Sequence, residues 1–204
     1  MGRRLCAELA RRGHTVRALV RPGSEGRVAA GCEAVVADPF RAESYAARVD
    51  GCDAFVHLIG VAHPSPAKAA QFRNVDLASV KAALAAASRA GVRHFVYVSV
   101  AQPAPVMREY IAARAEGEAA VRASGLAATI LRPWYVLGPG RRWPLVLLPI
   151  YWLLGALPGT RQSARRLGLV TDAQMVAALV RAVESPGAGV RLVEVPDIRA
   201  AIPP

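Results

Sequence analysis

The sequence predicts an α/β fold built on a doubly wound parallel sheet. Short, continuous apolar and β-branched runs recur at residues 53–60, 92–100 and 126–131, as strands buried on both faces require. Helix-period stretches separate them, the longest being the Ala-rich residues 72–90. Strands alternating with helices in this way form a parallel sheet with crossover helices on both faces.

The elements follow in order. Residues 2–12 read as a helix with Leu5 and Leu9 on one face and Gly13 as its C-cap. Residues 14–21 are a strand ending in Arg21, and Pro22-Gly23-Ser24 a turn. A short strand at 33–37 reaches Asp38-Pro39, a modest helix covers 40–49, and 53–60 is a buried strand. His63-Pro64 and Pro66 make 61–70 a loop, and Val75, Val80 and Leu84 are the expected core contacts of helix 72–90. The strand at 92–100 carries Ser99 at the edge where such sheets bind ligands. Tyr110 and Arg114 lie four residues apart on the next helix, so both project from one face. Gly125 caps it, and 126–131 is the strand before Arg132-Pro133.

Beyond Pro133 the character changes. Residues 141–159 are strongly apolar, with Trp143, Tyr151 and Trp152, arginines on both sides, and interruptions at Pro144, Pro149 and Gly155. A packing helix or a lid over an apolar ligand, and an interfacial membrane contact, are both consistent with this run; a full span is the weakest reading. Residues 172–184 are an amphipathic helix, 190–195 the last strand, and the Pro-rich tail is expected to be exposed.

A chain of 204 residues fits one domain, 1–204, with residues 134–204 as a smaller substrate or lid subregion. An apolar content of 53% excludes disorder. The net charge of +11 raises nucleic acid as a partner, but the arginines are spread along the chain without an aromatic-interleaved RNA motif, so none is expected. Three cysteines without ligand spacing (Cys6, Cys32, Cys52) imply no metal and suit structural thiols in a reducing cytoplasm.

The runs GVRHFVYVS (91–99), YIAAR (110–114), AEGEAAVRASGL (115–126) and TILRP (129–133) together resemble the short-chain dehydrogenase/reductase superfamily in its extended and atypical branch. The likeness is to NmrA-like, epimerase/dehydratase-like and complex I accessory-subunit-like proteins, and covers almost the whole chain. It implies an NAD(P)-binding Rossmann fold. It also implies a Tyr-x-x-x-Lys pair in which the lysine assists the phenol; here Arg114 stands at the lysine position.

Aligned with the family, Gly2 falls on the third glycine of the Gly-rich turn, and the first strand and first two glycines are absent. The expectation is an N-terminally truncated sheet, with the missing strand central, between the strands ending at Arg21 and Gly60. The same resemblance places Asp38 near the adenine ring, makes Gly60 a point of close backbone approach, and puts Pro133 at the cofactor. Arg21 stands where an NAD-selective site holds an acid, and an arginine can pair with a 2′-phosphate, so NADP(H) is preferred and NAD(H) remains open. His57, inside an apolar strand, reads as a core histidine.

A phenol with a pKa near 10 needs a nearby cation to act as acid or base at neutral pH. Arginine keeps the charge of lysine but presents a planar fork, so the exchange is not conservative. Ser99, Tyr110 and Arg114 are the catalytic candidates, with Asn74 a weaker one. Two functions stay open: an NADPH-dependent oxidoreductase or epimerase/dehydratase-like enzyme acting on a small substrate, and a non-catalytic NADP(H)-binding sensor or complex-supporting protein. A cytoplasmic location with membrane association, peripheral membrane contact through 141–159 and a homodimer complete the expectations.

Overall fold

The computed structural model describes residues 1–62, 64–104, 106–138, 146 and 166–202. The fold is a doubly wound, Rossmann-type α/β arrangement with parallel strand pairing throughout the described residues. Strands β1 (Val16–Val20) and β2 (Cys32–Val36) form one pair. A four-stranded sheet follows the order β3 (Ala54–His57), β4 (His94–Val98), β5 (Ala128–Arg132) and β8 (Val190–Glu194). Two short strands, β6 (Tyr135–Leu137) and β7 (Leu169–Thr171), pair separately.

Six α-helices of four residues or more lie among the described residues. They are α1 (Gly2–Arg11), α2 (Ala46–Val49), α4 (Ala78–Arg89), α5 (Arg108–Ala123), α6 (Asp172–Glu184) and α7 (Val195–Ala200). A three-residue helical segment, α3 (Ala69–Gln71), leads into a π turn at Phe72–Leu77 ahead of α4.

Period-two alternation divides the core. Val96 of β4 faces a layer containing Leu5 and Leu9 of α1, Met175 and Leu179 of α6, and Ile198 of α7. Phe95 and Tyr97 face the other layer, with Tyr45, Val80 and Val121. Every β4 residue but Val98 is buried, which explains the apolar run that follows His94.

β1 and β3 are not hydrogen-bonded to one another. Val16 of β1 and Val56 of β3 nevertheless pack on the first layer, and Leu19 and Phe55 on the second. The two sheets thus contribute to the same two apolar layers.

Several expectations are corrected. Helix 40–49 is broken into a 3₁₀ turn, Ala42–Ser44, and α2. Loop 61–70 turns helical from Pro66 onward, as a proline at the first helical position permits. Helix 72–90 opens with the π turn. Strands β6 and β7 and helix α7 went unpredicted.

The membrane expectation is corrected as well: among the described residues no helix is long and apolar enough to cross a membrane. Peripheral contact through 141–159, and the membrane-associated location resting on it, are withdrawn. That stretch, with its lid reading, lies outside the described residues apart from the exposed Val146.

Candidate functional site

The C-terminal ends of β3 and β4 and the first turns of α5 bring the candidate residues together unevenly. Tyr110, half-buried, stacks at a tilt on Phe72 of the π turn, with ring centroids 5.1 Å apart. Arg114, one turn later, is 5% exposed, and its Cζ lies 5.4 Å from the Tyr110 ring centroid and 5.8 Å from that of Tyr97. The i, i+4 spacing read from sequence therefore does place both on one face.

Both terminal nitrogens of the guanidinium are committed, while the buried Nε has no hydrogen-bond partner. Nη1 donates to the Val98 carbonyl at 2.8 Å, and Nη2 reaches the Ile59 carbonyl at 3.4 Å and Asp76 Oδ1 at 2.6 Å. Asp76 is 0% exposed, and its other oxygen accepts the Val61 N–H at 3.0 Å. Burial pushes the Asp76 carboxyl up from its ordinary value, and the Arg114 charge beside it pulls it back without reversing the direction. Arg114 lies so close to Gly60 that a β-carbon there would overlap Nη2. Gly60 is thus demanded by the arginine inside the protein, whatever a cofactor requires of it.

Ser99 is held apart from this group. It is 3% exposed, and its hydroxyl donates to Glu118 Oε1 at 2.7 Å. Glu118 also accepts from Gln102 Nε2 at 2.7 Å, and from Arg132 Nε at 2.8 Å and Nη2 at 2.5 Å. This buried carboxylate ties together the ends of β4 and β5, the loop after β4, and α5. Ser99 therefore acts as a structural donor in this arrangement. Asn74 is exposed on the π turn.

Asp76 and Glu118 are the residues that sequence reading missed. A signal existed for both. Asp76 falls at i−4 and i−8 from the core residues Val80 and Leu84, a charge on the apolar helix face, and Glu118 lies one turn beyond Arg114 on the face shared with Tyr110.

His57 reads correctly as a core residue. It is 2% exposed, with Nε2 3.2 Å from Ser79 Oγ, and burial, followed by the Arg114 charge, pushes its pKa down to about 3.

The cofactor candidates lie elsewhere. Gly2 opens α1, whose first turn has no side-chain cap and no acidic residue of its own; Asp172 of α6 ion-pairs beside it with the Met1 amino group at 3.6 Å and with Arg4 Nη1 at 2.6 Å. A β-carbon at Gly2 would make ordinary contact with Leu58 at 3.7 Å, so packing within the chain tolerates more there. Arg21 is exposed after β1, and Asp38 is exposed after the paired strand β2. Asp38 Oδ1 accepts the Phe40 N–H at 2.9 Å, which makes it a turn-forming residue as well. Pro133 is buried, and its carbonyl accepts the Ala101 N–H at 2.9 Å. No group of His, Cys, Asp and Glu among the described residues could hold a metal ion.

Residues 1–142 match the profile of the NAD(P)H-binding family. The chain belongs to that family. Among relatives of this NAD(P)H-binding chain is the ceramide reductase of Caulobacter vibrioides, 32% identical over 149 residues, 73% of this chain and 45% of that protein. An uncharacterized sugar epimerase of Bacillus subtilis, YhfK, is 33% identical over 129 residues, 59% of each chain. The chain thus spans about half the length of these curated relatives. A short-chain dehydrogenase/reductase superfamily protein from Agrobacterium tumefaciens with bound NAD superposes with a TM-score of 0.67. It is 22% identical, over 98% of this chain and 79% of that one, and so speaks to the fold.

The residues present fit a dinucleotide unequally. The uncapped first turn of α1, the exposed Arg21 and Asp38 have the chemistry to meet the pyrophosphate and adenosine half, with Asp172 beside that turn as an opposing charge. At the other half, the cation that would face the nicotinamide ribose is turned into the protein.

Proposed function

We propose that this chain binds NADP(H) and serves as the cofactor-binding part of a reductase whose proton donor is Tyr110. The observation that carries the reading is the placement of Tyr110, half-buried at the sheet's C-terminal edge with the Arg114 charge against its ring. Bound there, the dinucleotide would supply a hydride. Gly2, at the amino end of α1, would approach the pyrophosphate, with Arg21 on the 2′-phosphate and Asp38 toward the adenine. The Tyr110 hydroxyl would give its proton to the substrate's carbonyl oxygen, and Phe72 would hold the ring in place. Likeness to a ceramide reductase favours an apolar carbonyl substrate, and likeness to a sugar epimerase keeps a sugar-nucleotide-like substrate as the other choice.

A second reading has its own support. Ser99 is spent on Glu118 and Arg114 on Asp76, so the chain could hold NADP(H) without turning over, as a sensor or as part of a complex.

One experiment separates the two. NADPH and NADH are titrated by fluorescence against the wild type and Tyr110→Phe, with turnover measured on an apolar ketone. Binding in both proteins with turnover lost in Tyr110→Phe supports the reductase. Binding without turnover in either supports the second reading, and no NADPH binding overturns both.

A further inference from the structure

Asp76 sits where a neutral residue would satisfy the same backbone contact. One oxygen needs only the Val61 N–H; the other faces Arg114 Nη2 at 2.6 Å. Arg114 in turn lies against the Tyr110 ring. A positive charge is thus held beside the phenol, with a negative charge immediately behind it, in a region nearly closed to water.

The other groups around Tyr110 do not change this order. From the π turn, Phe72 contributes a neutral ring, and Arg73 points to Glu116 at 3.1 Å. From β4, the buried Tyr97 flanks the same guanidinium. On α5 itself, Arg108 and Glu109 are exposed neighbours of opposite sign.

We propose that Asp76 is a positioning residue that, through Arg114, keeps the Tyr110 phenol in its protonated, donating form and so sets the site for carbonyl reduction. An unopposed buried cation favours the phenolate; a carboxylate in contact with that cation cancels most of the effect. In reduction the carbonyl carbon accepts a hydride from the reduced dinucleotide, the Tyr110 O–H bond breaks, and the proton passes to the carbonyl oxygen. Solvent then reprotonates the phenolate. Alcohol oxidation needs the phenolate at the outset, which the Asp76 arrangement disfavours.

The inference rests on Tyr110 being the donor, and the test keeps the two ideas apart. The protein is labelled with carbon-13 at the hydroxyl-bearing carbon of tyrosine, and the Tyr110 resonance is assigned by its loss in Tyr110→Phe. Ionisation is followed by NMR without cofactor or substrate. In Asp76→Asn this ionisation should move to a lower pH than in the wild type. Arg114→Gln should ionise at a higher pH, and the double variant should return toward wild type.

An unchanged Tyr110 titration in Asp76→Asn overturns the proposal. If circular dichroism shows that Asp76→Asn does not fold, Arg114→Gln and the double variant decide by the same criterion, since replacing both members of a buried pair is better tolerated than removing one. Loss of turnover in Tyr110→Phe alongside unmoved titrations would sink the role of Asp76 alone. Retained turnover in Tyr110→Phe would sink the donor role, and with it the assignment to reduction.

Discussion

Arg114 Nη2 lies 2.6 Å from Asp76 Oδ1, joining the middle of α5 to the π turn that precedes α4. Both partners are almost wholly buried. The pair helps define the chemistry of the site, because it commits the residue standing in the lysine position of Tyr-x-x-x-Lys. A flexible ammonium on a four-carbon stem could swing toward a ribose; a planar fork bonded to two carbonyls and a carboxylate is pinned.

Gly60 makes this packing testable. A β-carbon there would overlap Nη2, whose partners leave the guanidinium little room to retreat. Gly60→Ala should destabilise the protein by about 1–3 kcal/mol, the usual cost of overpacking. In an Arg114→Met background the same change should cost much less. Urea unfolding of the four proteins gives the coupling directly, and additive effects would contradict the contact.

Much of the fold was legible because its cues are local. Strand β4 is buried on both sides and reads as an apolar run after His94, and α6 was placed with its observed ends by its amphipathic pattern; the structure adds a Thr171–Gln174 capping box at its start. The π turn was not legible: Phe72–Leu77 has ordinary helical composition, and its wider turn accompanies the seating of Asp76 and Phe72 against α5, a tertiary circumstance. The site was half legible. Spacing put Tyr110 and Arg114 on one face but could not say that Arg114 points inward to Asp76 or that Ser99 faces Glu118.

Glu118 should be a strong determinant of stability. It is 3% exposed and receives Ser99, Gln102 and a bidentate Arg132. Glu118→Gln leaves Arg132 largely buried with one fewer counter-charge, at an expected cost of about 3 kcal/mol. Ser99→Ala removes one charge-assisted hydrogen bond and should cost about 2 kcal/mol. A smaller effect for Glu118→Gln than for Ser99→Ala in thermal or urea unfolding would contradict this ranking.

Acid sensitivity follows from His57. The unfolded histidine takes up its proton below about 6.5, whereas burial delays the folded one until about 3. The unfolded state therefore binds more protons in that window, and stability is present above it and lost as pH falls through it. The slope is about 1.4 kcal/mol per pH unit for one such group. His94, whose pKa is also lowered by burial and by Arg191, adds to the same slope. His57→Phe should flatten the decline without abolishing it, as read from urea midpoints between pH 7 and about 4. An unchanged slope would mean that His57 is charged in the folded protein.

Arg21 offers the test of cofactor choice. It is exposed directly after β1, followed by a turn in which Gly23 adopts φ +76°, and no acidic side chain occupies the strand end. A guanidinium there can make charge-assisted hydrogen bonds to a 2′-phosphate, each contributing about 1.5–3 kcal/mol, or roughly tenfold or more in affinity. Arg21→Asp replaces that attraction with repulsion and supplies an acceptor for ribose hydroxyls. NADPH binding should weaken at least tenfold while NADH binding holds or improves, measured by fluorescence titration at fixed ionic strength. Because the residue is exposed, unfolding midpoints should stay within about 0.5 kcal/mol of wild type, which separates lost recognition from lost structure. Equal affinity of the wild type for NADPH and NADH would remove Arg21 from the cofactor site and leave its charge as part of a solvated basic surface.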